Sequence, residues 1–212
     1  MSSSKAAPQI VAIIVLAILA FALGLYVARS SNEAPPDIEG LLWPAPPQLS
    51  AFSLTDIHGK PFTENALVGK WTLLFFGFTH CPDVCPTTMK TLHIVAERLR
   101  ENPSFQATGQ VLFVTVDPAR DTPAVVRDYV HYFDPNFLGA TGNDEELKSL
   151  ARQIGIVYVQ VKTADPKIYS VDHTASIFLL TPKLQLVSVL SPPFEVSNLI
   201  ERIQTIIDFI EG

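Results

Sequence analysis

The sequence contains few cysteines, few methionines and few basic side chains, and each scarcity excludes a class of protein. Of its 212 residues two are Cys and two are Met. A disulfide-rich scaffold, a four-cysteine zinc site, a protein-held iron–sulfur cluster and a methionine-rich copper tract are therefore excluded. With 21 acidic against 15 basic side chains, the formal charge of -6 argues against a nucleic-acid binder, which usually carries a basic face. An ordinary globular protein with one cysteine site remains.

The hydrophobic residues, 48% of the chain, are unevenly distributed. Residues 6–28 contain no charge, and the apolar run at 10–27 would form a helix of about 27 Å, close to the hydrocarbon core of about 30 Å. The run is long for a signal peptide and no clear cleavage site follows it. We therefore expect a retained membrane anchor over residues 1–29, with a cleaved signal as the alternative.

The orientation of this anchor can be predicted from its position. The predicted anchor is the single span expected from the sequence, and it lies at the N-terminus. This favours a topology with the N-terminus inside the cytoplasm and the C-terminal domain outside it. An Arg-rich transit peptide is missing from the sequence. We therefore expect a single-pass protein of the bacterial inner membrane, with its domain in the periplasm.

The rest of the chain divides by composition into a tether and a domain. Residues 30–48 are rich in Ser and acidic residues and contain five prolines, which is typical of a semi-extended tether. Residues 49–212 have the length of one domain.

Within that domain, strand patterns alternate with helix patterns. Continuous apolar runs predict buried strands at 71–78 and 111–116. Thr122 and Pro123 predict a helix start, as do Asn143 and Glu146, and Ser197 could cap the last helix. The remaining predicted elements are a hairpin at 52–63, helices at 86–100, 123–133 and from 143 to 155, strands at 157–161, 176–180 and 186–190, and a helix to 210. The class is therefore α/β with a mixed sheet.

Both cysteines, Cys81 and Cys85, lie in one loop at the end of the first buried strand, where a helix begins. A helix N-terminus favours a thiolate and should lower the pKa of a thiol there. Sulfurs at i and i+4 come within about 6 Å, so they can form a disulfide or share a metal. A disulfide closing so short a loop stabilises little, which favours redox exchange or metal binding over a structural bridge.

A metal site with two thiolates usually needs a third donor, and histidine is the natural candidate. His58 lies in a predicted turn, while His93 and His131 lie on predicted helices, where a structural or surface role is the default. His80 adjoins Cys81, which makes co-ligation awkward. His173 precedes the strand at 176–180 and can reach the cysteine loop if that strand neighbours the first. The spacing alone leaves the choice among the histidines open.

Three sequence blocks resemble the Sco/SenC family. They are FGFTHCPDVCPTT at residues 76–88, VTVDPARDTP at 114–123 and DHTA at 172–175. Members of this family are membrane-anchored copper proteins with a thioredoxin-like fold that help to assemble cytochrome c oxidase. The resemblance spans roughly residues 49–210.

The resemblance implies copper ligands at Cys81, Cys85 and His173, a set that suits Cu(I), although zinc accepts it too. It also implies a metallochaperone, rather than an enzyme, that takes copper from a periplasmic donor. Copper would be delivered to the CuA site of cytochrome c oxidase subunit II. The alternative is a thiol–disulfide oxidoreductase that keeps the cysteines of that site reduced, which would need the cysteine pair but no histidine.

Four further residues in these blocks have two interpretations each. Asp172 either orients His173 or is a turn residue. Asp117, Arg120 and Asp121 either frame the rim of the site or serve loop structure and helix capping, and we favour the second interpretation.

Overall fold

A computed structural model describes residues 6–30, 42–43, 45–162 and 169–212, and within the first helix it describes the side chains of residues 13–25 only. The chain divides into two compact units, Met1–Pro36 and Asp37–Gly212. The first contains helix α1 (Ala6–Ser30). In the part of the chain that the structure describes, no helix has the length and apolarity needed to cross a membrane. Most of the predicted tether lies outside the described residues.

The second unit is an α/β domain, as the sequence predicted. A short 3₁₀ turn at Glu64–Ala66 follows its first two strands. The elements in chain order are β1 (Ser53–Asp56), β2 (Pro61–Thr63), β3 (Thr72–Gly77), α2 (Val84–Leu99), α3 (Pro103–Thr108), β4 (Gln110–Thr115), α4 (Pro123–Phe133), β5 (Leu138–Thr141), α5 (Asp144–Ile154), β6 (Tyr158–Lys162), β7 (Tyr169–His173), β8 (Ile177–Leu180), β9 (Leu186–Leu190) and α6 (Val196–Glu211).

Seven of the strands form one mixed sheet in the order β2-β1-β5-β4-β3-β8-β9. Strands β3, β4 and β5 are parallel, while β8 runs antiparallel to β3 and β9 antiparallel to β8. β3 is fully buried, as expected of the apolar run from which it forms. Its carboxyl end, where ligand sites of open α/β sheets usually lie, leads directly into the cysteine loop.

Two of the helices described in the domain begin or end at the residues that the sequence signals predict, and α6 does not. The Thr122 side chain accepts a hydrogen bond from the Val125 amide at the start of α4. Asn143 forms the predicted capping box of α5, which ends at Gly155 in a left-handed conformation, φ 83°. The predicted cap by Ser197 is wrong. Glu195 accepts the amides of the first turn of α6, because its carboxylate reaches two of them.

Three short elements contain too few residues to show a hydrophobic periodicity from which they could be predicted. They are α3, β5 and β7. The six residues of α3 make less than two turns, and β5 is four residues long and contains a glycine. β7 pairs with β6 in a separate two-stranded hairpin, and this hairpin carries the candidate histidine ligand at its end.

Candidate metal centre

The cysteine loop connects the buried end of β3 to the first turn of α2. The amide of Cys81 donates to the Phe78 carbonyl at 3.2 Å, which closes a turn. Asp83 is the N-cap residue of α2, but its side chain makes no capping hydrogen bond. Instead the Cys85 amide donates to Sγ of Cys81 at 3.4 Å. The Cys81 sulfur therefore takes the place of a cap at the helix N-terminus.

Cys85 is completely buried, and its sulfur packs against the backbone of β3. A Cβ atom on Gly77 would lie 2.9 Å from Sγ of Cys85 and 2.9 Å from Cε2 of Phe113. Only glycine, which has no side chain, leaves space there for the Cys85 sulfur. Gly77 therefore belongs to the site because it lets the sulfur approach the backbone of β3. The sequence motif contains this glycine, but nothing in its spacing revealed the reason for it.

The two cysteines are free thiols, and the disulfide that their spacing allows is not formed. The expected lowering of the thiol pKa by the helix is wrong for Cys85. Burial raises the pKa of Cys85 well above its usual 9.0, because the thiolate loses its hydration, and hydrogen bonding to the Phe78 backbone opposes this only in part. Desolvation is thus the largest influence on the pKa of this thiol.

His173 lies beside the cysteine pair because β8, which follows it, is the antiparallel neighbour of β3. Its Nε2 atom is 3.4 Å from Sγ of Cys85. Its Nδ1 atom is 3.0 Å from the Thr174 carbonyl, which accepts only if Nδ1 carries the proton. That tautomer leaves the Nε2 lone pair directed at the sulfur. The Thr174 carbonyl, rather than the Asp172 carboxylate, therefore orients the ring.

The surroundings of His173 favour the neutral imidazole. Burial lowers the pKa of His173 below its usual 6.5. Two aromatic rings meet the imidazole edge-on, with centroids 6.1 Å away for Phe75 and 5.9 Å for Phe78. A neutral imidazole is the form that binds a metal ion.

A cleft of about 300 Å³ opens onto the Cys81 thiol and the His173 imidazole. Phe78 and residues 81–84 line one side, and residues 170–173 with Ala175 line the other. Cys81 is half-buried in this cleft, whereas Cys85 lies beneath it. An incoming group would thus meet Cys81 before Cys85.

The other four histidines do not join this cluster. His58 and His131 are exposed. Nδ1 of His80 is 3.0 Å from Oγ1 of Thr79, and 53% of the His80 side chain is exposed. Nδ1 of His93 is 3.2 Å from Oδ2 of Asp134.

His93 and Asp134 form a second cluster of potential metal ligands together with Glu97. Arg100 pairs with both carboxylates, so one of their two negative charges is already compensated by protein. This agrees with the structural role expected for His93.

Asp121 anchors the loop rather than facing the cleft. Its completely buried carboxylate accepts hydrogen bonds from both the amide of Thr79, at 2.9 Å, and the hydroxyl, at 2.6 Å. It also accepts from the Thr115 hydroxyl at the end of β4. These bonds connect the beginning of the cysteine loop to the neighbouring strand, which supports the structural interpretation that we favoured.

A buried thiol and a half-buried thiol at a strand–helix junction, with a neutral imidazole held over them, define a site for a soft metal ion or for thiol redox chemistry on an α/β domain. Comparison with known proteins identifies the family. The SCO1/SenC family model matches residues 44–208. The chain belongs to the SCO1/SenC family.

Individual relatives agree with this assignment. The mitochondrial SCO1 homolog 1 of Arabidopsis thaliana is 38% identical over 152 residues, 72% of this chain but 45% of that protein. A Stutzerimonas stutzeri protein is 34% identical over 194 residues, 91% of this chain and 94% of the relative. The chain spans about half the length of the mitochondrial relatives.

A crystal structure of Arabidopsis thaliana ScoI with copper bound superimposes with a TM-score of 0.70 at 36% identity, covering 75% of this chain and 97% of that one. This likeness confirms the thioredoxin-like α/β fold.

Proposed function

We propose that this protein binds copper through Cys81, Cys85 and His173 and passes it to the CuA site of cytochrome c oxidase subunit II. The single observation that carries the proposal is the 3.4 Å contact between Cys85 Sγ and His173 Nε2, made while Nδ1 is held by a backbone carbonyl. The ring is thereby oriented with a free donor atom at the thiol pair.

The donor set fits copper by its chemistry. Thiolate sulfur is a soft donor that favours Cu(I), and imidazole binds both oxidation states of copper. A relative 36% identical to this chain was crystallised with copper bound. Zinc accepts two thiolates and an imidazole as well. We expect copper to be preferred because divalent affinities peak at Cu²⁺ and Cu(I) favours thiolates.

Loading the site couples metal binding to proton release. Because burial raises the pKa of Cys85, its proton must leave when the sulfur binds the ion. His173 is already held neutral and releases none above its lowered pKa. Binding should therefore weaken in acid mainly through protonation of the Cys85 sulfur.

Delivery would proceed by ligand exchange. An acceptor cysteine entering the cleft meets Cys81 first, so that ligand is expected to be replaced before Cys85. Thiolates and imidazoles of the acceptor then replace the remaining ligands, and no bond of a small molecule is broken. On this proposal the protein is a metallochaperone loaded by a periplasmic copper donor.

The test is a competition titration of Cu(I) and Cu(II) into the full chain in detergent, comparing wild type with the Cys81→Ser/Cys85→Ser double variant. The double variant should lose tight binding of both ions. Loaded wild type should also transfer copper to a purified soluble domain of oxidase subunit II. Retained tight binding in the double variant would refute the proposed site.

A second candidate is a thiol–disulfide oxidoreductase that keeps the acceptor cysteines reduced. The observation that favours it is the free, half-buried Cys81 thiol at a helix N-terminus, the usual setting of an attacking thiol. The raised pKa of Cys85 opposes it, because a poorly ionised resolving thiol reacts slowly. A His173→Ala variant that still supports oxidase assembly in cells would favour this candidate.

We further propose, on the sequence of residues 1–29, that the protein is anchored in the bacterial inner membrane with its domain in the periplasm. The uncharged stretch at 6–28 supports this proposal. Alkaline extraction of membranes should leave the full chain in the pellet and release a chain lacking residues 1–29. Release of both would refute the anchor.

A further inference from the structure

Three residues form a closed cluster at one end of strand β7. Arg120, in the turn between β4 and α4, donates through Nε to the carboxylate of Asp117 and through Nη1 to the Tyr169 carbonyl at 3.2 Å. Its Cζ atom lies 3.7 Å from the centroid of the Tyr169 ring. The Tyr169 hydroxyl donates to Oδ1 of Asp117 at 2.7 Å. The guanidinium thus holds both the backbone and the ring of the first residue of β7.

The hairpin that this cluster holds has little other support. Among the described strands, β6 and β7 pair only with each other and not with the seven-stranded sheet. A cavity of about 500 Å³ lies between this hairpin and residues 116–119. Val171 is buried on the inner side, but Val159 and Val161 on β6 are exposed. Because an isolated two-stranded hairpin is only marginally stable, its position depends on the contacts that attach it to the domain.

Two physical connections link Arg120 to His173. Tyr169 and His173 are the two ends of β7 and, four residues apart, lie on the same face of the hairpin. In addition, Cζ of Arg120 is 5.8 Å from the centroid of the Phe78 ring, which meets the His173 ring edge-on. The guanidinium therefore contacts both the strand that carries the imidazole and the ring that packs against it.

We propose that Arg120 is a positioning residue for the metal site, which holds β7 so that Nε2 of His173 stays at the sulfur of Cys85. This inference rests on the proposed function, because it assumes that His173 is a ligand. Lysine should not replace Arg120, since its point charge cannot stack on Tyr169 while donating in two directions. Tyr169→Phe should have a smaller effect, because it keeps the ring contact and loses only the hydrogen bond to Asp117.

The test compares Arg120→Gln, Arg120→Lys and Tyr169→Phe in the full chain, with Arg127→Gln as the control. Arg127 is a half-buried arginine of α4 that, among the described residues, pairs with its neighbour Asp128 alone. In the metal-free protein, Arg120→Gln should speed amide hydrogen exchange in β6 and β7 while leaving β3 protected. Copper affinity should fall about 10-fold, the lower end of the range for residues that orient a ligand. The nitrogen hyperfine coupling of bound Cu(II) should weaken.

A double-mutant cycle separates positioning from general destabilisation. In a His173→Ala background, Arg120→Gln should cause no further loss of copper affinity, because the group it positions is already gone. An equal loss in both backgrounds, or unchanged exchange and affinity in Arg120→Gln, would overturn the inference and leave the proposed function intact. If His173→Ala itself bound copper as wild type does, the ligand set would fail, and this inference would fail with it.

Discussion

Nε2 of His173 lies 3.4 Å from Sγ of Cys85, 88 residues earlier in the chain. The two side chains meet because β8 lies antiparallel to β3, with Ile177 opposite Phe75, which returns the chain to the carboxyl end of β3. The site is therefore assembled from the cysteine loop and one residue that is distant in the sequence, His173. Substitution of His173 is the most direct test of the proposed ligand set.

We expect His173→Ala to lower the copper affinity by at least about 100-fold, since removing a ligand should cost more than disturbing the residue that orients one. Reactivity of the Cys81 thiol toward an aromatic disulfide should change little. The measurement is a chelator competition titration. His93→Ala is the matched control, because His93 lies at Asp134 outside the site. Equal losses in the two variants would show that His173 is not a ligand.

Copper affinity should rise with pH. Because burial raises the pKa of Cys85, its proton competes with the metal throughout the neutral range, and each such thiol contributes up to about 10-fold per pH unit. The pKa of His173 is lowered from 6.5, so proton competition at the imidazole begins only below that value. Titrations at pH 6, 7 and 8 test this expectation, and a pH-independent affinity would contradict it.

The stability of the metal-free protein should fall at alkaline pH. The folded-state pKa of Cys85 lies above its usual 9.0, so the neutral thiol favours folding below that pH. As the pH rises above about 9, the unfolded chain releases the proton first, and stability decreases by up to about 1.4 kcal/mol per pH unit. Urea unfolding at pH 8 and 10 measures this decrease. Cys85→Ser should reduce the loss, whereas Cys81→Ser should retain it.

Gly77→Ala should lower the free energy of unfolding by about 1–3 kcal/mol, the usual cost of overpacking a core. The added methyl group would meet the Cys85 sulfur and the Phe113 ring, each at 2.9 Å. Urea unfolding measures the loss, and a copper titration should show weakened binding because the sulfur is displaced. In a Cys85→Ala background part of the stability should return. If the two substitutions were strictly additive, the packing explanation would be wrong.

Asn143→Ala should cost about 1 kcal/mol without changing copper affinity, because it removes the cap of α5, which lies outside the site. Asn143→Asp should restore the stability, since aspartate caps as well as asparagine does. Thermal unfolding of both variants distinguishes capping from a general effect of substitution. Equal stability of wild type and Asn143→Ala would contradict the capping role.

Features that depend on residues close together in the sequence could be predicted from the sequence. The apolar run that became β3 needed only its own composition, and α4 begins at Pro123 and ends at Phe133 as predicted. The cysteine loop could be located from local sequence too, because it lies between the apolar run that forms β3 and the helix pattern that forms α2. The cap of α6 could not be predicted in this way, because Glu195 caps the helix in place of Ser197 although glutamate is not among the preferred capping residues.

By itself the sequence determined the α/β class, the cysteine pair at a strand–helix junction and the resemblance to a copper-binding family, since these depend on patterns within a few residues. The spacing left open which histidine reaches the thiols, and the tertiary structure decided it for His173, the residue that the resemblance implied, because that depends on which strands pair. It also decided the sign of the Cys85 pKa shift, because only packing reveals how far the thiol is removed from water. The attachment of the His173 hairpin by Arg120 depends on contacts between distant segments, which no local pattern contains.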